Sequence, residues 1–169
     1  DGRGNLTSLG ASSFTYSQLN MLSTYPLGAL YYDPLGRLDL DYKNSTATGS
    51  SFDLDGDQIS GEVDYATSTL LRRYVYGPGT DKPVVWYEGS GTSDRRWLHT
   101  DERGSVIVVT NASGSAIGIN SYDEYGIPAA TNLGRFGYTG QVWLSDLGMW
   151  YYKARIYAPT LGWFMQTDP

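Results

Sequence analysis

Leu6, Leu22 and Leu38 fall sixteen residues apart, and each ends a short turn-like segment. The segments are Asp1-Gly2-Arg3-Gly4-Asn5-Leu6, Phe14 to Leu22, and Tyr31-Tyr32-Asp33-Pro34-Leu35-Gly36-Arg37-Leu38. A fourth, Phe52-Asp53-Leu54-Asp55-Gly56-Asp57-Gln58-Ile59, opens on an aromatic and lands on an aliphatic in the same way. A unit this short cannot bury its apolar face alone, so repetition at a fixed period points to a stacked array that shares one core. The pattern predicts structural repeats in preference to a self-contained enzyme.

Composition supports strands. The 169 residues include 21 Gly and 15 Tyr, and only 18% are charged. Aromatics pack well on pleats and Gly supplies the positive φ of tight turns. An aromatic share of 14% argues against disorder. Alternating runs at 70–76, 83–87, 95–100, 105–110 and 116–122 are separated by Gly-Pro-Gly, Gly-Ser-Gly, Asp-Glu-Arg-Gly and Asn-Ala-Ser-Gly. Such short links favour antiparallel pairing. No apolar 3.6-residue stripe extends past two turns. Thr46 to Ser51 and Thr92 to Asp94 read as polar loops, and the hairpins are expected to run on as one continuous sheet. The fold class is therefore all-β, an antiparallel hairpin-repeat sheet.

The net charge is −6, and the nearest approaches to a basic cluster are the doublets Arg72-Arg73 and Arg95-Arg96. Nucleic acid is thus a poor partner. With no cysteine there is neither a disulfide framework nor a thiolate zinc site. No apolar run reaches the ~20 residues of a membrane-spanning helix. The chain begins without Met and stops at Asp168-Pro169 in mid-pattern, as a fragment of something longer would.

Tyr32-Asp33-Pro34-Leu35-Gly36-Arg37-Leu38 resembles the YD repeat of the Rhs (rearrangement hotspot) proteins. The second part resembles the Rhs repeat-associated core. His99, Asp101, Gly104 and Ser105 match its His-x-Asp-x-x-Gly-Ser stretch. Tyr122, Asp123 and Gly126 match Tyr-Asp-x-aromatic-Gly, and Phe136 through Gly140-Gln141 matches Phe-x-x-Thr/Ala-Gly-Gln. Tyr152, Arg155, Tyr157, Gly162 and Phe164 then fall in its Tyr-Tyr-x-x-Arg-x-Tyr-x-Pro-x-x-Gly-x-Phe block, which ends on Asp-Pro. Trp163 stands where the family has Arg. The resemblance divides the chain into degenerate YD repeats (1–96) and the core (97–169), without a firm boundary.

It implies a secreted or cell-surface bacterial protein whose sheet spirals into a hollow shell. Its partners would be further repeats or other copies, paired at strand edges, and an enclosed C-terminal toxin. In many members an aspartyl self-cleavage releases that toxin. Asp168 matches the Asp-Pro motif that begins the cleavage region, but the second carboxylate would lie downstream, so the chain itself is expected to be non-catalytic and to need no cofactor.

Three sites compete with this reading. Asp53, Asp55 and Asp57 open like a calcium loop, but position six is Gln58 instead of Gly, and position twelve is Asp64 instead of Glu. A repeat turn accounts for them better. His99 with Asp101 and Ser105 contains the residue types of a triad, without the elbow or oxyanion hole a nucleophile needs. Trp143, Trp150, Tyr151, Tyr152, Tyr157 and Trp163 contain enough rings for a sugar platform, but alternation divides them between two faces, as packing residues would be. A carbohydrate- or surface-binding module of an adhesin-like protein is the alternative reading, and Arg155 is expected to stack on a ring or pair with an acid.

Overall fold

The computed structural model describes residues 1–168; Pro169, the second half of the Asp-Pro pair, lies outside the described residues. The chain is all-β. β1 (Ser8–Leu9) and β2 (Ser12–Ser13) make a small hairpin. The next eleven strands form a single antiparallel meander, each hydrogen-bonded to its successor in sequence. They are β3 (Thr15–Tyr16), β4 (Leu22–Tyr25), β5 (Gly28–Tyr32), β6 (Leu38–Lys43), β7 (Thr48–Asp55) and β8 (Gln58–Asp64). β9 (Leu70–Tyr76), β10 (Pro83–Glu88), β11 (Arg95–Thr100), β12 (Val106–Thr110) and β13 (Ala116–Ile119) complete it. A strap of irregular chain, residues 120–141, then leaves the β13 edge and crosses one face of this sheet. It contains a single 3₁₀ turn, Tyr138–Gly140. Four further strands, β14 (Val142–Leu144), β15 (Met149–Tyr152), β16 (Arg155–Ala158) and β17 (Trp163–Phe164), form a separate sheet.

The continuity of the sheet and one of the two polar loops differ from expectation. The sheet is not continuous, because the strap interrupts it after Ile119 and, among the described residues, none of the last four strands joins the meander. The division at residue 96 falls inside β11. The polar stretch from Thr46 to Ser51 is also not all loop, since β7 starts at Thr48. Its small residues have a packing reason: a Cβ on Gly49 would run into the Asp41 carbonyl oxygen, and the Ser50 hydroxyl donates to Glu62 at 2.8 Å.

The repeated turns share one hydrogen-bond pattern. Asp1, Asp33, Asp101, Asn111 and Asp123 each use Oδ1 to accept from the backbone N–H two and four residues on, at 2.8–3.0 Å. The residue three on is Gly each time, with φ between 80° and 90°, and its N–H returns to the carbonyl of the first residue. An Asx side chain mimics a turn of backbone, and only Gly adopts this φ without strain. Asp64 caps a longer variant in which Ser68, at φ 57°, takes the Gly place. Because Asn111 performs the task with its amide oxygen, Asp123→Asn should leave stability nearly unchanged. Asp123→Ala should cost about 1–2 kcal/mol in urea unfolding. Equal loss in both variants would mean that charge, not acceptor geometry, makes the turn.

The sixteen-residue period also has a cause. Tyr16 Oη donates to the Leu6 carbonyl at 2.6 Å, and Tyr32 Oη donates to the Leu22 carbonyl at 2.9 Å. Tyr76 does the same for Ile59 at 3.0 Å, and Tyr122 for Val106 at 2.8 Å. Each phenol thus ties its repeat to the aliphatic landing of the one before. Leu22, Leu38 and Ile59 are buried, and Leu6 packs against the core at its margin.

The core lies between the meander and the four-stranded sheet. Directly opposed residues in antiparallel strands share a face. Val142, Leu144, Met149, Tyr151 and Ile156 therefore form the inner face of the smaller sheet, and all are buried. They meet Leu22, Leu30, Leu38, Phe52, Ile59 and Tyr74 from the meander. The Leu38 N–H donates to Tyr151 Oη across this interface at 2.9 Å.

Candidate functional site: a charge ladder beneath the strap

Adjacent strands of the meander bring a row of ionisable groups onto the covered face. The pairings Asp41↔Ser50, Phe52↔Glu62, Glu62↔Arg72, Arg72↔Glu88, Tyr74↔Trp86 and Trp86↔Arg96 put all of these side chains on one side of the sheet. The strap adds Arg135 from above.

Glu62 is the centre. It is fully buried and accepts from Arg135, from Arg72 Nη1 at 3.1 Å, from Ser50 Oγ at 2.8 Å and from Tyr74 Oη at 3.2 Å. Burial alone would raise its pKa, but the Arg135 and Arg72 guanidiniums outweigh it and hold the carboxyl down at about 2. The row continues from Arg72 Nε to Glu88 at 3.1 Å, from Arg96 to Glu88 at 3.4 Å, and from Arg96 to Asp94 at 2.8 Å. Arg96 also lies 4.2 Å above the Trp86 ring, and Arg135 lies 5.7 Å from that of Phe52. Asp41 is the exception in this row. Desolvation raises its pKa, and its partner is the Tyr25 hydroxyl, which donates at 2.8 Å.

These two acids give stability opposite pH slopes. With its pKa raised, Asp41 is charged more readily in the unfolded chain, so stability falls as pH climbs from the usual carboxylate range through the raised value. With its pKa lowered, Glu62 contributes stability above that usual range, and the contribution is lost as pH falls toward about 2. Thermal unfolding followed across pH should show Tm highest under mildly acidic conditions. Asp41→Asn should flatten the decline on the neutral side; an unaltered Tm profile in that variant would show that Asp41 does not set it.

The ladder joins the two sheets. Arg135 to Glu62, Lys153 to Asp81, and Lys43 to Asp146 at 2.7 Å are ion pairs between the meander or its loops and the strap or smaller sheet. A cavity of about 300 Å³ opens beside the ladder between Trp86, Leu133 and Trp143. Arg72, Arg96 and Arg135 line it, and each already donates to a carboxylate. Chemically, the arrangement holds elements in register and presents no activated nucleophile.

The residues singled out from sequence have the following places. Tyr32, Asp33, Gly36, Leu38, Leu6 and Leu22 form the repeat turn and its phenol tie. Hydrogen bonding from Arg37 lowers the Asp33 pKa. His99, Asp101 and Ser105 do not assemble: His99 Nε2 is 3.1 Å from Thr110 Oγ1, Asp101 caps its own turn, and Ser105 Oγ accepts from the Thr139 N–H at 3.0 Å. Gly104, Tyr122, Asp123 and Gly126 build two more turns. The Gly126 carbonyl accepts from Trp150 Nε1 at 2.9 Å.

Gly140 sits in the 3₁₀ turn, and Gln141 donates to Asp81 at 3.0 Å. Tyr152, Tyr157 and Phe164 form one ring cluster with centroids 5.4–5.9 Å apart, reached through the turn at Gly162. Arg155 lies 3.8 Å over Phe164 and pairs with Asp168 at 3.2 Å, so it both stacks and pairs. Asp53, Asp55 and Asp57 sit around a two-residue hairpin turn at Gly56-Asp57. Among the described residues there is no cluster of three or more His, Cys, Asp or Glu side chains suited to a metal ion. Trp150 and Tyr151 are buried on opposite faces, while Trp163 is exposed.

Glu62, Glu88 and Arg135 do not stand out in the sequence. The doublets Arg72-Arg73 and Arg95-Arg96 were the visible trace. On a strand, one member of each must face inward, and each inward arginine meets an acid on a directly neighbouring strand.

No family model matches the chain. It is similar to the tRNA3(Ser)-specific nuclease WapA of Bacillus spizizenii, 26% identical over the whole of this chain and 8% of that protein. It is also similar to the tRNA nuclease WapA of Bacillus subtilis strain 168, 25% identical over the same shares. The chain therefore spans about 8% of the length of the curated relatives it matches. Among solved structures it is similar to TcdB2-TccC3-Cdc42, with TM-score 0.74, 18% identity, and coverage of 100% of this chain and 9% of that one. A Tc holotoxin pore from Photorhabdus luminescens gives TM-score 0.72 and 17% identity over 100% of this chain and 9% of that one. At these identities the structural likeness establishes the fold.

Proposed function

We propose that the chain is a non-catalytic wall segment of a YD-repeat, Rhs-type protein that is secreted or surface-exposed. Its strands would pair edge to edge with further repeats or other copies, and the completed shell would enclose a toxin. The observation that carries this reading is the eleven-strand meander in unbroken sequence order, strapped on one face by its own continuation. That construction extends by adding hairpins, and its β13 edge presents Ile119 at 73% exposure. An exposed strand edge invites another strand.

The fold likeness to TcdB2-TccC3 supports the reading, as does similarity to two nucleases of which the chain corresponds to a small part. The carboxylates of the covered face are committed to structural bonds, so we assign the segment no share in nuclease chemistry. Sedimentation velocity should show association that grows with concentration and is reduced by Ile119→Lys. A chain that stays monomeric at every concentration, or that cleaves tRNA alone, overturns the proposal.

A further inference from the structure

The two arginine doublets divide their work. Arg72 and Arg96 turn inward to Glu62, Glu88 and Asp94. Their neighbours Arg73 and Arg95 turn to the opposite face, which neither the strap nor the smaller sheet covers. There the register sets Tyr87 directly opposite Arg73 on one side and Arg95 on the other. Residues 73 and 95, far apart in sequence, thus flank one ring across three adjacent strands. Arg73 lies 5.4 Å from the Tyr87 ring, and Arg95 lies 5.1 Å from that of Trp97, which shares its strand and face.

Neither outward arginine is among the ion pairs of the described residues. Arg73 donates only to the carbonyls of Ser90 and Gly91, and the Nε of both Arg73 and Arg95 has no acceptor. In a chain of net charge −6, two cations held over rings without an acid are chemically incomplete. Both Nε atoms are shielded from solvent, so the terminal guanidinium nitrogens are the donors left to take a carboxylate or sulfate, with the adjoining rings giving apolar contact beside the cations.

We propose that this outer row binds an acidic polysaccharide carrying its anionic groups on alternate sugars. Two strand spacings separate the arginines, about 10 Å, which suits charges on every second sugar with the intervening ring over Tyr87. A nucleic-acid strand carries a phosphate every ~3.4 Å of helix axis and would bring more negative charge than two arginines can offset. The surface is separate from the edges used for assembly, so it stands or falls apart from the wall reading.

The test is titration of the chain, by calorimetry and tryptophan fluorescence at low salt, with hyaluronan oligosaccharides (carboxylate only) and chondroitin sulfate (carboxylate and sulfate). Cellohexaose and oligo(dT) serve as neutral and nucleic-acid controls. Saturable binding of one or both acidic glycans is expected, weakened by salt, with about tenfold loss in Arg95→Gln and in Tyr87→Ala. Tyr87→Phe should retain most of it, whereas Arg95→Lys, which keeps the charge but loses the planar fork, should retain only part. Both side chains face outward, so circular dichroism and Tm should confirm an intact fold. Which acidic glycan binds identifies the anion. No saturable binding, equal binding of cellohexaose, tighter binding of oligo(dT), or affinity unmoved by the Arg95 and Tyr87 variants each overturns the proposal.

Discussion

Arg135→Met is expected to lower the free energy of unfolding by about 3–5 kcal/mol, the usual cost of removing one member of a buried ion pair. The loss comes less from the missing attraction than from what remains. Glu62 would stay buried with a charge that Arg72, 30% exposed at its side chain, only partly offsets. The strap would also lose its grip at this point, because Arg135 bonds Ser50 at 3.1 Å and the Trp143 carbonyl at 3.3 Å. Adding Glu62→Gln to Arg135→Met should recover part of the loss, since a neutral amide costs far less to bury than a carboxylate. Urea unfolding of the two single variants and the double variant measures the coupling. Purely additive losses, or less than ~1 kcal/mol for Arg135→Met, would show that Phe136, packed edge-on to Tyr74 at 4.7 Å, holds the strap by itself.

The contrast between the turns and the ladder shows which physics a sequence displays. The repeat turns are local: an Asx side chain, two backbone N–H groups and a positive-φ glycine all lie within five residues. The sixteen-residue period was equally visible, because its two phenols reach back only ten residues, from Tyr16 to Leu6 and from Tyr32 to Leu22. The D/N-x-x-Gly spacing shared by residues 1, 33, 101, 111 and 123 is one local motif with one geometry, although Asp53-x-x-Gly56 has the same spacing and folds instead as a two-residue hairpin turn.

The strap is different. Arg135 and Glu62 lie 73 residues apart, and nothing in either neighbourhood names the other. Their meeting depends on the meander reaching eleven strands and on the chain turning back beneath it. The split of the last strands into a second sheet was hidden for the same reason. Hairpin signals predict that strands pair in succession, but not where a run without strands will let the chain change layers. Residues 120–137 are rich in side chain–backbone bonds that replace ladder pairing, such as the Asn120 amide closing on both backbone groups of Leu133 at 3.0 and 2.8 Å.

Gly140→Ala should be the most damaging of the glycine substitutions in positive-φ turns, at about 2–5 kcal/mol. Gly114→Ala, at nearly the same φ, should cost only about 1–2 kcal/mol. The φ values are 75° and 85°, so the intrinsic strain of an L residue is alike. The surroundings differ. A Cβ at Gly114 meets nothing within 4 Å, whereas one at Gly140 is driven into the Asp81 carbonyl oxygen and comes within 3.5 Å of that of Gly104. Both obstacles are backbone and cannot swing aside as a side chain can. Relief would require moving the loop at Asp81, which itself has φ 54° and receives bonds from Gln141 and Lys153. The collision would therefore separate the meander from the smaller sheet at one of the three ion pairs that join them. Urea midpoints of the two variants provide the measurement. Equal losses would mean that backbone strain alone governs both sites and that the close approach at Gly140 relaxes at no cost.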